Sequence, residues 1–498
     1  MNRRPQIGSG IVAALLSALL CVGACDKANE KSTSSPSVFV IVVDAASAAF
    51  FGCYGDNHST SPNIDAFAGE AVLFENAYSQ APSTLLTTTS FLTGTRTSTH
   101  RMNDTIKVPQ RLATLPALLG DAGFRTCSIV ANPFAGAPNW GLDRGYDECV
   151  EVYKLPEVIK RRVAEETTAF AVAQPADVNG EVFRRIANWS KTGTFAYIHY
   201  LQPHKPYDPP AEYLKRFDCG PADWKTMHHR WELATQEGET SEQTIKYLMG
   251  RYRANVQYVD AAIGELFKRM KEAGLFDESL VILTADHGDA FFKHKRFGHN
   301  TDLYDDMVRI PLIMKFPKSM DVKPARRKNL AETVDLFSTI LDFARVNISD
   351  QAEGDSLLNP AYSGAESENG EEVFLGAIVS FGTGPSAVEY DKHAVRVRDY
   401  KFIVEAKGRE ELYNLVADPD EQRNLVSVDA EKTAGFRELL RSRVDLASGA
   451  TIAADPSDVD SKMSKLLDTL GYTHGKNGSS DSKNGSMNDA VPATQPSP

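Results

Sequence analysis

The stretch Val38–Val43, reading VFVIVV and followed at once by Asp44, decides the fold. Six apolar residues in a row show no alternation with polar ones, so this is a strand buried on both faces, as in a largely parallel sheet covered by helices. Residues 195–201 and 280–284 have the same character. The first run ends before Gln202, Pro203 and His204, the second at Ala285, Asp286, His287 and Gly288. Helical periodicity lies between them at 114–122, 181–190 and, over a long amphipathic stretch, about 244–273. Alternating strands and helices define an α/β fold with a large, mostly parallel sheet flanked by helices. In such sheets ligands bind beyond the carboxyl ends of the strands, so these three endings are expected to converge on one site.

The chain has 498 residues, with 54 Lys plus Arg against 66 Asp plus Glu, a formal charge of −12. That balance argues against nucleic acid as a partner, since such binders carry a basic footprint. At 42% hydrophobic, 9% aromatic and 24% charged, the composition is that of a globular protein and excludes wholesale disorder and a polytopic membrane protein. Residues 1–25 carry Arg3 and Arg4, then an apolar run through Leu15, Leu16, Leu19 and Leu20, shorter than the ~20 residues of a membrane span. This reads as a secretory signal. Val22, Gly23, Ala24 and Cys25 resemble the lipobox of bacterial lipoproteins, which implies a lipid on Cys25 and a chain held to the bacterial cell envelope by that anchor. Asp26 then implies inner-membrane retention, and residues 26–37 form a polar linker.

Apart from Cys21 and Cys25, the cysteines are Cys53, Cys127, Cys149 and Cys219. They match no zinc spacing and read as small buried residues, with Cys127 and Cys149 the pair to check for a disulfide. Residues 208–243 hold no long periodic element and read as an insert or lid carrying Trp224, His228, His229 and Trp231. Further on, short strands at 373–380 and 394–406 and a helix at 430–446 suggest a small α+β subdomain over 366–446. Residues 447–498 form a tail, which from about His474 is too poor in apolar side chains to order.

Asp44, Asp286 and His287 offer oxygen and nitrogen ligands suited to a divalent cation. A lone Asp after a strand is commonly a turn or cap residue. The pair Asp286–His287 is costly to bury without purpose, and Gly288 permits close backbone approach. Residues 81–94, APSTLLTTTSFLTG, put hydroxyls at the start of a helix, where free N–H groups and the dipole favour an attacked oxyanion. By itself such a segment also reads as a capping loop.

Several ordered blocks carry a resemblance. Val42–Val43–Asp44, Gly52–Cys53–Tyr54–Gly55, Ser61–Pro62–Asn63–Ile64–Asp65, Phe74–Glu75–Asn76–Ala77–Tyr78 and Leu92–Thr93–Gly94 resemble the N-terminal half of the sulfatase family, within the alkaline phosphatase superfamily. Pro203–His204–Lys205–Pro206–Tyr207, Asp286–His287–Gly288, Gly298–His299 and Arg309–Ile310–Pro311 continue it in order. Asp399–Tyr400–Lys401 and Glu411–Leu412–Tyr413–Asn414 resemble the family's C-terminal subdomain, so the likeness covers about residues 38–446, with 38–365 as the catalytic domain.

The departures sharpen the expectation. Sulfatases mature a Cys or Ser of a CxPSR motif into formylglycine, but counting back from Leu92–Thr93–Gly94 puts Thr84 there, with Leu86, Thr87 and Thr88 in place of the motif's Pro, Ser and Arg. No formylglycine is expected. The family's doubled Asp is Asp44–Ala45, and its GKxH element is absent, the chain reading Val130–Ala131–Asn132–Pro133 instead. A threonine beside an Asp–His pair resembles the phosphate-handling branches of the superfamily. The resemblance then implies Thr84 as nucleophile and ligand, with Asp44, Asp286 and His287 as the other ligands of one divalent ion, Ca, Zn or Mn. It implies His204 and His299 as leaving-group acid and oxyanion contact, in one order or the other, and Asn132 as either a substrate donor or a helix cap. The expected substrate is a small anionic ester: a phosphate mono- or diester or a phosphonate ester. The alternatives are a sulfatase proper and an inert binding protein on the same scaffold.

Overall fold

The computed structural model describes residues 35–103, 106–164, 173–189, 191–220, 241–358, 372–381, 388–405 and 408–448. The signal with Cys25, the linker up to residue 34, residues 221–240 of the insert and the tail from residue 449 lie outside the described residues.

Among the described residues, ten strands precede the C-terminal region: β1 (Val38–Val43), β2 (Val72–Tyr78), β3 (Arg125–Val130), β4 (Glu148–Glu151), β5 (Thr194–Tyr200), β6 (Leu280–Ala285), β7 (Ala290–Phe291), β8 (Phe297–Gly298), β9 (Arg309–Lys315) and β10 (Ala325–Glu332). Eight of them form the main sheet in the order β10-β2-β9-β6-β1-β5-β3-β4, and β7 and β8 form a small ribbon. Every neighbouring pair is parallel except those made by β9. A parallel return needs a crossover helix. Residues 286–308 form the ribbon and loops instead, with only the one-turn helix Asp305–Val308, and β9 comes back antiparallel. Each residue of β1, β5 and β6 is buried, which is why these runs carry no polar alternation.

The long helix is Glu242–Glu272, started by Ser241, whose hydroxyl accepts from the Thr244 N–H. Two expectations change. The helix expected at 181–190 is Pro175–Arg185 followed by a 3-10 turn, because Gln174 and Asp177 form a reciprocal capping box with Pro175 in the first turn. The strand expected at 394–406 is two strands of a tight hairpin, β12 (Val388–Val397) and β13 (Tyr400–Glu405), folded where Arg398 adopts φ 50°. With β11 (Glu372–Phe381) and β14 (Glu410–Asn414) they make a four-stranded antiparallel sheet, followed by the helix Ala430–Ser448. One face of this sheet, through Val373, Leu375, Ile403 and Tyr413, packs on Tyr78, Leu303, Tyr304 and Met307. Buried ion pairs from Lys392 to Asp302 and from Lys401 to Asp305, both 2.7 Å, pin the loop that follows β8.

All four described cysteines are free. In the β3–β4 ladder Cys127 faces Glu148 while Cys149 faces Ser128, one residue out of step, so alternation sends the two thiols to opposite faces.

The helix Thr84–Thr93 ends at Gly94, whose φ of 67° requires a residue tolerant of the left-handed region, and a Cβ there would lie 2.5 Å from the Phe337 ring. Gly94→Ala is expected to cost about 2 kcal/mol or more from strain plus overpacking. Denaturant unfolding checks this, and an unchanged midpoint would refute it.

Candidate active site

Strand register builds the site. Val43 is level with Tyr200 on one side and Ala285 on the other, so one residue further along Asp44 and Asp286 stand side by side. Val42, His199 and Thr284 occupy the row behind, on the same face by alternation. β3 brings Val130 level with His199 and carries Asn132 two residues beyond.

Tyr252 holds the turn after β1: its hydroxyl donates to the Ala45 carbonyl at 2.6 Å and accepts from the Ser47 N–H at 3.1 Å. That turn aims the Ala45 N–H at Asp286 Oδ1, 3.0 Å away, and the His287 N–H donates to the same oxygen at 2.9 Å. One oxygen of Asp286 is therefore clamped by two amides while Oδ2 faces the site. Asp44 Oδ2 accepts from Asn132 Nδ2 at 2.6 Å. Asp44 Oδ1 and Asp286 Oδ2 are buried and accept no hydrogen bond among the described residues.

Thr84 is the first residue of its helix and fully buried, with Oγ1 3.2 Å from His287 Nε2 and 3.5 Å from Asn132 Nδ2. His287 Nδ1 lies 3.0 Å from the Gly288 carbonyl, so Nδ1 carries the proton and Nε2 is the acceptor nitrogen turned to Thr84. Gly288 has the close approach expected of it, since a Cβ there would sit 2.3 Å from the Asp306 carbonyl oxygen. Of the two readings of Asn132 the structure shows the cap: Oδ1 accepts from the Phe134 N–H at the 3-10 turn, while Nδ2 reaches Asp44 and Thr84.

His204 and His299 stand next to this group, with ring centroids 4.9 Å apart and His299 4.4 Å from His287. His204 Nδ1 donates to the Lys205 carbonyl at 2.7 Å, and His299 Nδ1 pairs with Asp289 Oδ1 at 2.6 Å. The other Asp289 oxygen accepts from the Tyr207 hydroxyl at 2.7 Å. Asn300 N–H donates to the Pro82 carbonyl at 3.0 Å, tying the His299 loop to the loop before Thr84. The expected site residues Asp44, Thr84, Asn132, His204, Asp286, His287 and His299 are thus brought together. His294 and its neighbours lie apart, His294 stacked on Tyr304 and Lys293 paired with Asp420, in keeping with a charged loop. Of the insert, the described base packs Tyr213 against Tyr258 of the long helix, and the buried Arg251 holds the Tyr207 and Cys219 carbonyls.

His199, Asp289, Tyr207 and Tyr252 were not singled out by sequence reasoning. For His199 a signal exists: it is the one charged-capable side chain inside the buried run of β5. For Asp289 the signal is its place three residues after Asp286.

Burial and the charge of Asp286 push the Asp44 carboxyl well above the usual carboxylate range. Burial also raises Asp286, but the imidazoles of His287 and His199 and the Ala45 amide outweigh it and hold this carboxyl below its usual value. Burial, reinforced by neighbouring imidazoles, keeps His204 and His299 well below the ordinary histidine range. Two buried carboxylates with unsatisfied oxygens, surrounded by imidazoles, are unfavourable alone and fit a divalent cation. Donor atoms of Asp44, His199 and Asp286 all lie within 4.8 Å of one another, as do those of His287, Asp289 and His299. In the second group Asp289 and His299 already bond each other.

The fold and this site define an ester hydrolase of the alkaline phosphatase superfamily. The family model "Sulfatase" matches residues 36–346, and the model "N-sulphoglucosamine sulphohydrolase, C-terminal" matches residues 288–446. The chain belongs to the sulfatase family, whose members are metal-dependent. It is 23% identical over 450 residues to an arylsulfatase of Clostridium perfringens, covering 80% of this chain and 91% of the relative. Among solved structures, a protein in complex with its substrate D-glucosamine-2-N,6-O-disulfate has a TM-score of 0.67 at 18% identity, covering 84% of this chain and 99% of that one. A phosphonate monoester hydrolase of Agrobacterium radiobacter has a TM-score of 0.67 at 17% identity, covering 84% and 96%. At such identities the structural likeness speaks for the fold.

Proposed function

We propose that the protein is a metal-dependent hydrolase of phosphate mono- or diesters, or of phosphonate esters, working through a covalent phospho-Thr84. The observation that carries this is the placement of Thr84 Oγ1 at a helix start, 3.2 Å from His287 Nε2, which itself lies 3.6 Å from Asp44 Oδ1 and 3.8 Å from Asp286 Oδ2. A threonine hydroxyl is a nucleophile for phosphorus and offers no aldehyde for a formylglycine mechanism. Asp44, Asp286, His287 and Thr84 would hold the cation, which when bound lowers the hydroxyl pKa and neutralises charge on the phosphoryl oxygens. Thr84 Oγ1 gives its proton to solvent and attacks phosphorus, forming a new P–O bond as the bond to the leaving oxygen breaks and that oxygen takes a proton from His299. Water then attacks the same phosphorus, giving a proton back to His299, and Thr84 Oγ1 leaves and takes up a proton from solvent.

Both His204 and His299 have Nδ1 facing an acceptor, so each Nε2 donates only as the imidazolium. An anionic ester bound beside them favours that charged form against burial. His299, backed by the Asp289 carboxylate, then serves as leaving-group acid, and His204 contacts a phosphoryl oxygen. Asn132 Nδ2 is a fixed donor at the rim of the same space.

Sulfate ester hydrolysis through Thr84 is the second reading, favoured by the family model and the arylsulfatase relative. A rate panel separates the two: nitrophenyl phosphate, phosphate diester, phosphonate ester and sulfate, on protein stripped by chelator and reloaded with calcium, zinc or manganese. Phosphoester or phosphonate turnover exceeding sulfate turnover supports the first reading, and the reverse order overturns it.

We further infer that the chain is anchored at the bacterial cell envelope through a lipid on Cys25, from the apolar run and the four residues ending there. Cys25→Ala is expected to move the protein from the membrane to the soluble fraction on cell fractionation; a variant that stays membrane-bound contradicts the anchor.

A further inference from the structure

We propose that His199 is itself a ligand of the cation, and that the second imidazole it adds makes the site select zinc over calcium. This rests on the metal centre of the preceding reading and on nothing about its chemistry.

His199 is fully buried on β5, and neither of its ring nitrogens has a hydrogen-bond partner among the described residues. A buried imidazole with both nitrogens unsatisfied calls for an explanation, because such groups are almost always paired. Nε2 lies 3.8 Å from Asp44 Oδ2 and 3.6 Å from Asp286 Oδ2. Those separations are too long for a hydrogen bond. They are close to the spacing of donors that share an ion: with bonds of about 2.1 Å, two donors of a tetrahedral zinc stand about 3.4 Å apart.

His287 offers an internal comparison. Its Nε2 is 3.6 Å from Asp44 Oδ1 and 3.8 Å from Asp286 Oδ2, so both imidazoles approach the same carboxylate pair and share Asp286 Oδ2, His287 at Asp44 Oδ1 and His199 at Asp44 Oδ2. A cation held on Asp286 Oδ2 between the two carboxylates is therefore next to both rings. Asp44 Oδ2 also accepts from Asn132, which leaves it a second lone pair. Pairing of β5 with β1 at Val42 and with β3 at Val130 fixes the face of the sheet on which His199 stands, the face of Asp44 and Asp286. Calcium takes oxygen donors almost exclusively, whereas two imidazoles with two carboxylates are a zinc set.

The test uses the full chain, stripped with a chelator and titrated with zinc chloride or calcium chloride against a competing indicator. Wild type is expected to take up zinc far more tightly than calcium. His199→Ala and His199→Gln should each weaken zinc by about 100-fold or more, with calcium affinity little changed. Zinc affinity within about threefold of wild type in both variants overturns the proposal. A measurement on the unaltered protein guards against misfolded variants: zinc K-edge absorption should fit two imidazoles at the metal, and a fit with one overturns the proposal. None of these readouts involves turnover, so failure of the phospho-Thr84 reading leaves them standing, and their failure leaves that reading standing.

Discussion

Thr84→Ala is expected to lower turnover of every cleaved ester by about 10,000-fold or more while bound metal is retained. Removing a covalent nucleophile deletes a reaction path, which is why such losses far exceed those of a binding contact. The metal outcome follows from a different part of the geometry. Thr84 contributes one hydroxyl to a site whose charge comes from Asp44 and Asp286, and whose Asp286 is fixed by the Ala45 and His287 amides independently of Thr84. The Thr84 helix should also survive the change, since alanine is a better helix former. Thr84→Ser keeps the attacking oxygen and should keep much of the rate. Steady-state rates with metal analysis of the same samples check both halves. Full activity in Thr84→Ala would remove the proposed mechanism, and loss of metal together with rate would recast Thr84 as mainly a ligand.

Asp286→Ala is expected to abolish metal binding and to destabilise the chain even without metal. The carboxylate works in two directions: Oδ2 faces the site, and Oδ1 is the acceptor for two buried backbone N–H groups, at 3.0 and 2.9 Å. Truncation leaves both amides unpaired, at about 1–3 kcal/mol each. It also removes one anchor of the turn after β1, leaving Tyr252 to hold it. Asp286→Asn distinguishes the roles, because its carbonyl oxygen can still accept from both amides but brings no charge. That variant should bind metal weakly and unfold close to wild type in chelator. Metal content after dialysis and denaturant unfolding in chelator provide the measurements. Wild-type metal affinity in Asp286→Ala would exclude it as a ligand.

Much of this was legible along the chain. The buried runs at β1, β5 and β6 announce themselves because a strand covered on both faces cannot carry polar residues, whatever covers it. Asp286–His287–Gly288 stands out because acid, imidazole and glycine are adjacent in sequence, and Thr84 because its hydroxyl cluster precedes a short apolar turn. Other boundaries were hidden in short-range detail. The helix begins at Pro175 because Gln174 and Asp177 cap each other, and the strand near residue 400 folds at Arg398, a residue type with no turn preference. The cap made by Asn132 could not be told apart from a site role along the chain, and its amide leaves a nitrogen that bonds Asp44 while the oxygen caps the turn.

Chain order alone thus yields the α/β class, the identity of the charged residues at three strand ends and the threonine in the nucleophile position. The company those residues keep comes from the fold. His199 reads as one more residue of an apolar strand until register sets it level with Val42, two residues behind Asp44 and on the same face, and Asp289 reads as a loop residue until it meets His299 at 2.6 Å. The reason is physical. Burial and local turns depend on neighbours in sequence, whereas the metal geometry depends on distances between Asp44, His199 and Asp286, on three separate strands, which only the pairing of those strands brings within 4 Å.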